Sequence, residues 1–211
     1  QLITRYDEPY AMSDDSDYGA DSYDYYHPNP VTYERHRLFF CLNRKHFVKS
    51  RPSSSCARSL ILFPTCDTYP RHPYDISFIA HHFKLLRVLD LENINMGVCF
   101  PTGIELLIQL TYLAVSGDID SVPQSIADLW KLETLIVKGL KDEKIILPDT
   151  IWCMVKLRHV VVNNHVIFIS QDDKLGVSSQ LDNLVTFSTL SFSSGKDTGM
   201  ILQWLPNHLR L

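Results

Sequence analysis

Apolar residues recur along this chain in a single phrase, L-x-x-L-x-L. Leu86–Leu89–Leu91, Leu110–Leu113–Val115, Leu132–Leu135–Val137, Leu157–Val160–Val162 and a looser Leu184–Phe187–Thr189 all carry it, and their first positions step by 24, 22, 25 and 27 residues. A second phrase, P-x-x-I-x-x-L, runs between them as Pro101–Ile104–Leu107, Pro123–Ile126–Leu129 and Pro148–Ile151–Met154. Two patterns locked to one period, inside the window of about 20–29 residues, mark a stacked repeat. In the first phrase the last two apolar residues lie two apart, so both point to one face of a short strand. In the second, Pro suits the first turn of a short helix, where a missing N–H costs nothing, and Ile and Leu share one helical face.

These phrases predict an α/β leucine-rich-repeat solenoid. Short parallel strands line its concave face, and short helices, 3-10 turns and loops form its convex face. No repeat buries its apolar face alone, so stability is a sum over neighbours and the terminal repeats need caps. Upstream, Arg58–Phe63 reads as an irregular first strand, with Leu60 and Leu62 standing where Leu89 and Leu91 stand one repeat later. Asp75 to Phe83, with Ile76, Ile79 and Phe83 spaced by three and four, reads as a short amphipathic helix. The outward strand positions are the candidate recognition residues: Asp90 and Glu92, Tyr112 and Ser116, Thr134, Ile136 and Lys138, and His159, Val161 and Asn163, with Val88 and Ala114 between them. Tyr112, Ile136, Val161 and His159 make an apolar–aromatic stripe on that face.

Charge divides the chain unevenly. Residues 1–30 carry seven acids against one base and residues 31–58 one acid against seven bases, within a net charge of −4 over 211 residues. The Tyr/Asp-rich segment 1–30 has too few aliphatic residues to offset chain entropy and reads as disordered. Residues 31–57 read as a basic connector or N-terminal cap, in which Leu38–Phe40 and Phe47–Val48 can pack as a strand or as a cap on the first repeat. Residues 58–211 form the repeat domain, about five to six repeats cut short at the C-terminus. Both ends look cut, so a piece of a longer protein is expected, marginal or aggregation-prone in isolation. No overall basic excess points to nucleic acid. The five cysteines are scattered and never in C-x-x-C, which suits free thiols in a reducing, cytoplasmic compartment. No apolar run approaches the length of about 20 residues that spans a bilayer.

Enzyme chemistry has no motif here. Phosphate-binding glycine loops, G-x-S-x-G and H-E-x-x-H are all missing, so neither catalytic nor metal residues are assigned. His81–His82 reads as a convex surface pair, because adjacent helical residues diverge by about 100° and no further ligand stands at metal spacing. Cys153 and His159 fall on different elements, which separates them as a catalytic pair.

The wording of the repeats carries a resemblance. Phe83-Lys84-Leu85-Leu86-Arg87-Val88-Leu89-Asp90-Leu91, the segment Val122 to Leu135 and Leu147-Pro148-Asp149-Thr150-Ile151-Trp152 resemble the phrases LLRVLDL, LPxSIxxLxxLETL and LPDTIW of plant intracellular nucleotide-binding, leucine-rich-repeat immune receptors. Tyr112 to Pro123 and Lys156 to Val160 are similar to the coiled-coil receptors of nightshades, specifically the late blight resistance type. The connector phrases Tyr33–Leu38 and Lys45–Pro52 resemble that family's bridge into its repeats.

The resemblance implies a sensor and restraint module. It would recognise a pathogen effector or a guarded host protein and hold the nucleotide-binding domain off, with Arg35, Arg37, Lys45 and Lys49 as intramolecular contacts. ADP or ATP would bind in a domain outside this chain, leaving no cofactor here, and membrane contact would be at most peripheral through other parts. The alternative is a non-receptor repeat adaptor or scaffold, such as a substrate-recruiting subunit of a ubiquitin ligase.

Overall fold

Each strand phrase places one leucine-type side chain beside its counterpart in the next repeat, and parallel pairing follows from that repetition. The computed structural model describes residues 32–40, 44–63, 73–141, 144–169 and 181–188. Its strands are β1 (Arg37–Phe40), β2 (Ser59–Leu62), β3 (Val88–Asn95), β4 (Tyr112–Gly117), β5 (Thr134–Gly139), β6 (Ile145–Pro148), β7 (His159–Val162), β8 (Val166–Ile169) and β9 (Thr186–Ser188). Two short helices, α1 (Arg44–Ser50) and α2 (Phe78–His82), accompany them, with 3-10 turns at Ile104–Leu106, Gln124–Asp128 and Asp149–Cys153. Among the described residues, seven strands form one sheet in the order β1-β2-β3-β4-β5-β7-β9, parallel throughout.

The register makes the core a ladder. Leu60, Leu89, Leu113, Leu135, Val160 and Phe187 stand opposite one another across six strands, and all are fully buried. Leu91, Val115, Val137 and Val162 form a second buried rung. Leu60 thus takes the place predicted for it, and Ile76, Ile79 and Phe83 are buried around α2.

Backbone hydrogen bonds repeat as faithfully as the side chains. The N–H groups of Leu86, Leu110, Leu132, Leu157 and Leu184 each donate to the carbonyl three residues back, at 2.8–3.2 Å. The carbonyls of His36, Arg58, Arg87, Thr111, Glu133 and Arg158 then each accept two consecutive N–H groups from the next repeat. This carbonyl ladder runs along the edge where the chain turns into its strands, and it satisfies donors that burial would otherwise leave costly.

The helical phrases resolve into 3-10 turns. Pro123 and Pro148 stand one residue ahead of them, extended at the cap with ψ of 156° and 149°, rather than inside the first turn. Three residues per turn brings Ile126 and Leu129, and likewise Ile151 and Met154, onto one inward side. All four are buried.

Phe47 lies in α1 and packs against Phe40 and Phe78, with ring centroids 5.0 and 5.6 Å apart, so a helix contributes it to the core. Two features depart from the sequence expectation. The stretch after Asn163, without a strand phrase, supplies β8, which pairs with β6 in a separate two-stranded parallel sheet. β3 continues past its phrase and slips register after Leu91, so that Asn95 faces Ser116. The segment 1–30 and the C-terminal residues after 188 lie outside the described residues.

Two substitutions test this packing. A Cβ on Gly117 would stand 2.6 Å from the Gly97 carbonyl oxygen, a backbone atom that cannot swing away. Gly117→Ala should therefore lose about 1–3 kcal/mol of stability. Leu135→Ala, in the centre of the ladder, should lose about 2–5 kcal/mol. Urea unfolding followed by circular dichroism measures both.

Candidate protein-recognition face

Strand alternation turns every second side chain away from the core, onto an open face of the seven-stranded sheet. The register assembles these side chains into two rungs. One runs Arg37, Ser59, Val88, Tyr112, Thr134, His159 and Thr186; the next runs Phe39, Ile61, Asp90, Ala114, Ile136 and Val161. Tyr112 and His159 therefore share a rung with Thr134 between them, and Ile136 and Val161 are neighbours on the adjacent rung. All five are half-buried, and the His159 ring nitrogen Nδ1 lies 3.2 Å from the Thr186 hydroxyl. Asn163 is exposed and turned back, donating from Nδ2 to the Gly139 carbonyl and accepting the Gly139 N–H through Oδ1 at 3.0 and 2.7 Å.

Charge concentrates at one end of these rungs. Lys138 Nζ donates to Glu92 Oε2 at 2.6 Å, which links β5 to β3 across the intervening β4. Beneath that arch stands Ser116, in register between Asn95 and Lys138 and only 1% exposed. Ser116 is thus corrected from an outward contact to a buried residue, and Ala114 is buried with it. The cause is the register slip in β3 together with two small side chains flanked by larger ones. Asp90 sits beside this group, and burial raises its pKa against the opposing backbone N–H of Glu92, which its Oδ1 accepts at 3.1 Å. Burial, followed by the nearby charges of Asp90 and Glu92, pushes the Tyr112 phenol up to about 12. Tyr112 therefore meets any partner as a neutral hydroxyl.

Of the basic candidates, Arg37 is exposed at the β1 end of the Tyr112 rung, Arg35 and Lys49 are exposed near β1 and in α1, and the Lys45 side chain lies outside the described residues. His81 is exposed, but His82 is no free surface residue. Its Nδ1 lies 3.2 and 3.1 Å from the Arg51 and Pro52 carbonyls, and its ring meets Phe78 edge-on. No group of three or more metal-binding side chains occurs among the described residues. Cys56, Cys99 and Cys153 are free thiols. No helix among the described residues is long and apolar enough to cross a membrane.

Sequence reasoning missed two sets. Phe39 and Ile61 extend the open face by two strands, and the alternation of β1 and β2 would have found them. Ile108, Trp130 and Val155 are exposed large apolar side chains, each two residues ahead of a core leucine. Their common repeat position was the available signal.

A family model described as "Leucine-rich repeat region" matches residues 57–207, which agrees with the parallel sheet and its few helices. The chain belongs to the leucine-rich-repeat family. Among curated relatives, the late blight resistance protein R1-A of Solanum demissum is 39% identical over 152 residues, covering 71% of this chain and 11% of its own length. Two homologs from the same species, R1B-8 and R1B-14, are 39% and 40% identical over 170 and 167 residues, each covering 75% of this chain. This leucine-rich-repeat chain spans 14% and 12% of their lengths, so its relatives are far larger resistance proteins that share this region.

The raised pKa of Asp90 has a signed consequence. A carboxyl that is harder to ionise in the folded state weakens stability as pH climbs from its ordinary value of 3.8 through its folded value. Asp90→Asn keeps an oxygen acceptor for the Glu92 N–H and removes that burden. It should unfold at higher urea than the wild type at pH 7, with the gap closing below about pH 3.8. An equal gap at pH 7 and pH 3 would contradict this reading.

Proposed function

We propose that this leucine-rich-repeat domain is the recognition and restraint module of a plant disease resistance protein. The observation that carries the reading is the open sheet face of a chain whose relatives are late blight resistance proteins. Tyr112, Ile136, His159 and Val161 cluster there, half-buried, bordered by Asp90, Glu92 and Lys138. Such a face matches what protein interfaces use, aromatic and apolar anchors ringed by charge.

In this reading the parallel sheet lines the concave side of a solenoid, and the 3-10 turns stand on its convex side. The face binds a pathogen effector or a guarded host protein, in the cytoplasm. The exposed bases Arg35 and Arg37, with Lys45 and Lys49, contact the nucleotide-binding domain of the larger protein. The module works by binding alone, with no catalysis and no cofactor of its own. A switch of this kind needs each partner to bind one state better than the other.

The test presents the full chain to the nucleotide-binding region of a late blight resistance-type receptor and measures association by co-precipitation. Charge reversal at Arg35, Arg37, Lys45 and Lys49 should weaken it about tenfold. Paired Tyr112→Ala and Ile136→Ala substitutions should leave it intact while reducing capture of an effector or host protein. No association from a chain shown to be folded would overturn the restraint role and favour a free-standing adaptor.

A further inference from the structure

The edge that carries the carbonyl ladder also carries an exposed surface outside the proposed recognition face. Each repeat turns there through the same short segment before its strand. Ile108, Trp130 and Val155 stand at one repeat position along this flank, 47%, 51% and 57% exposed. The next position holds Gln109, Lys131 and Lys156, with Lys131 Nζ donating to Gln109 Oε1 at 2.7 Å. Lys131 and Lys156 both lie over the Trp130 ring, 4.7 and 4.9 Å from its centroid. An indole flanked by two ammonium groups is a platform for a second aromatic ring beside a carboxylate.

The charge of the flank extends beyond that platform. Lys84, Arg87 and Arg158 are exposed on the same turns, and His36 and Arg58 occupy the positions equivalent to Arg87 just ahead of β1 and β2. Glu34, Glu133 and Asp182 are the acids among them. The result is a basic strip with an apolar row along its middle.

We propose that this strip is the docking site of the chain's own acidic segment, residues 5–26. Three observations select that occupant. The first is charge: residues 1–30 hold seven acids against one base, and Tyr6, Tyr10, Tyr18, Tyr23, Tyr25 and Tyr26 alternate with them. The second is the point of attachment. Thr32 pairs with Ser53, and the neighbouring Ser54 N–H donates to the His82 carbonyl, two residues ahead of Lys84. Thr32, two residues after the acidic stretch 1–30, therefore enters the fold beside the flank. The third is reach: Trp130 lies about four strand spacings away, roughly 20 Å, well within a tether of some 30 residues. Single exposed ion pairs contribute little, but a tethered segment making several at once gains from its high local concentration.

Zero-length carbodiimide cross-linking of the full chain, read by mass spectrometry, tests this. Carboxylates of Asp14 to Asp24 should link to Lys84, Lys131 or Lys156 within the monomer. These links should vanish in about 0.5 M salt, where screening shortens to about 4 Å. Trp130→Ala should lower their yield about threefold. Because that position is exposed, the fold should survive; Asn at Asp14, Asp15 and Asp17, outside the described fold, should lower the yield independently. Links only to Lys45 or Lys49, or no links from the acidic segment, would overturn the proposal. Links only between copies in a mixture of isotopically light and heavy chains would overturn it in favour of a second molecule as occupant.

Discussion

Every described repeat of this molecule depends on a side chain finding its own counterpart one repeat away. A short strand with two inward leucines buries nothing by itself. Six such side chains in register, from Leu60 to Phe187, exclude water from one another and fix the strand spacing at the same stroke. The double-acceptor carbonyls from His36 to Arg158 then hold the edge of each repeat to the next. The two systems share a period, so side-chain packing and backbone pairing reinforce rather than compete.

Aromatic side chains cluster towards both ends of the described ladder. Phe40, Phe47 and Phe78 gather beside β1, and Trp152, Phe168 and Phe187 beside β9, with centroids 5.0–6.4 Å apart. Large rings fill space where a neighbouring repeat contributes less, and their surface is apolar enough to extend the core beyond the last regular phrase.

The sequence was most legible where the period was strict. The rungs through Leu89 and Leu91 could be placed residue by residue, because spacing alone decides which side chains meet. The 3-10 turns were legible in position but not in form, since Pro at the cap and Pro in the first turn leave the same trace in a sequence. β8 was hidden because its partner β6 lies just ahead of a proline-led turn, and neither strand carries the leucine phrase. Burial of Ser116 was beyond reach for a different reason. It follows from a slip in β3, which shifts the pairing by residues that look like ordinary polar strand positions. The flank around Trp130 carried its signal openly, yet a single exposed apolar residue is commonplace, and only recurrence at one repeat position gives it meaning.

The alternation within each strand separates two kinds of inheritance. Inward positions answer to the neighbouring repeat and tolerate little change. Outward positions such as Tyr112, Thr134, Ile136 and Val161 answer mainly to whatever lies in front of them. A sequence of this design can acquire a new specificity by drift at its outward positions while its scaffold stays put. The arch of Lys138 over β4 is the exception. Beneath it stands the small Ser116, and Ala114 is buried one rung away between Asp90 and Ile136, so both are outward by pattern but bound to the scaffold by contact. Variation across related chains should therefore fall silent at these two sites, in the middle of an otherwise diversifying surface.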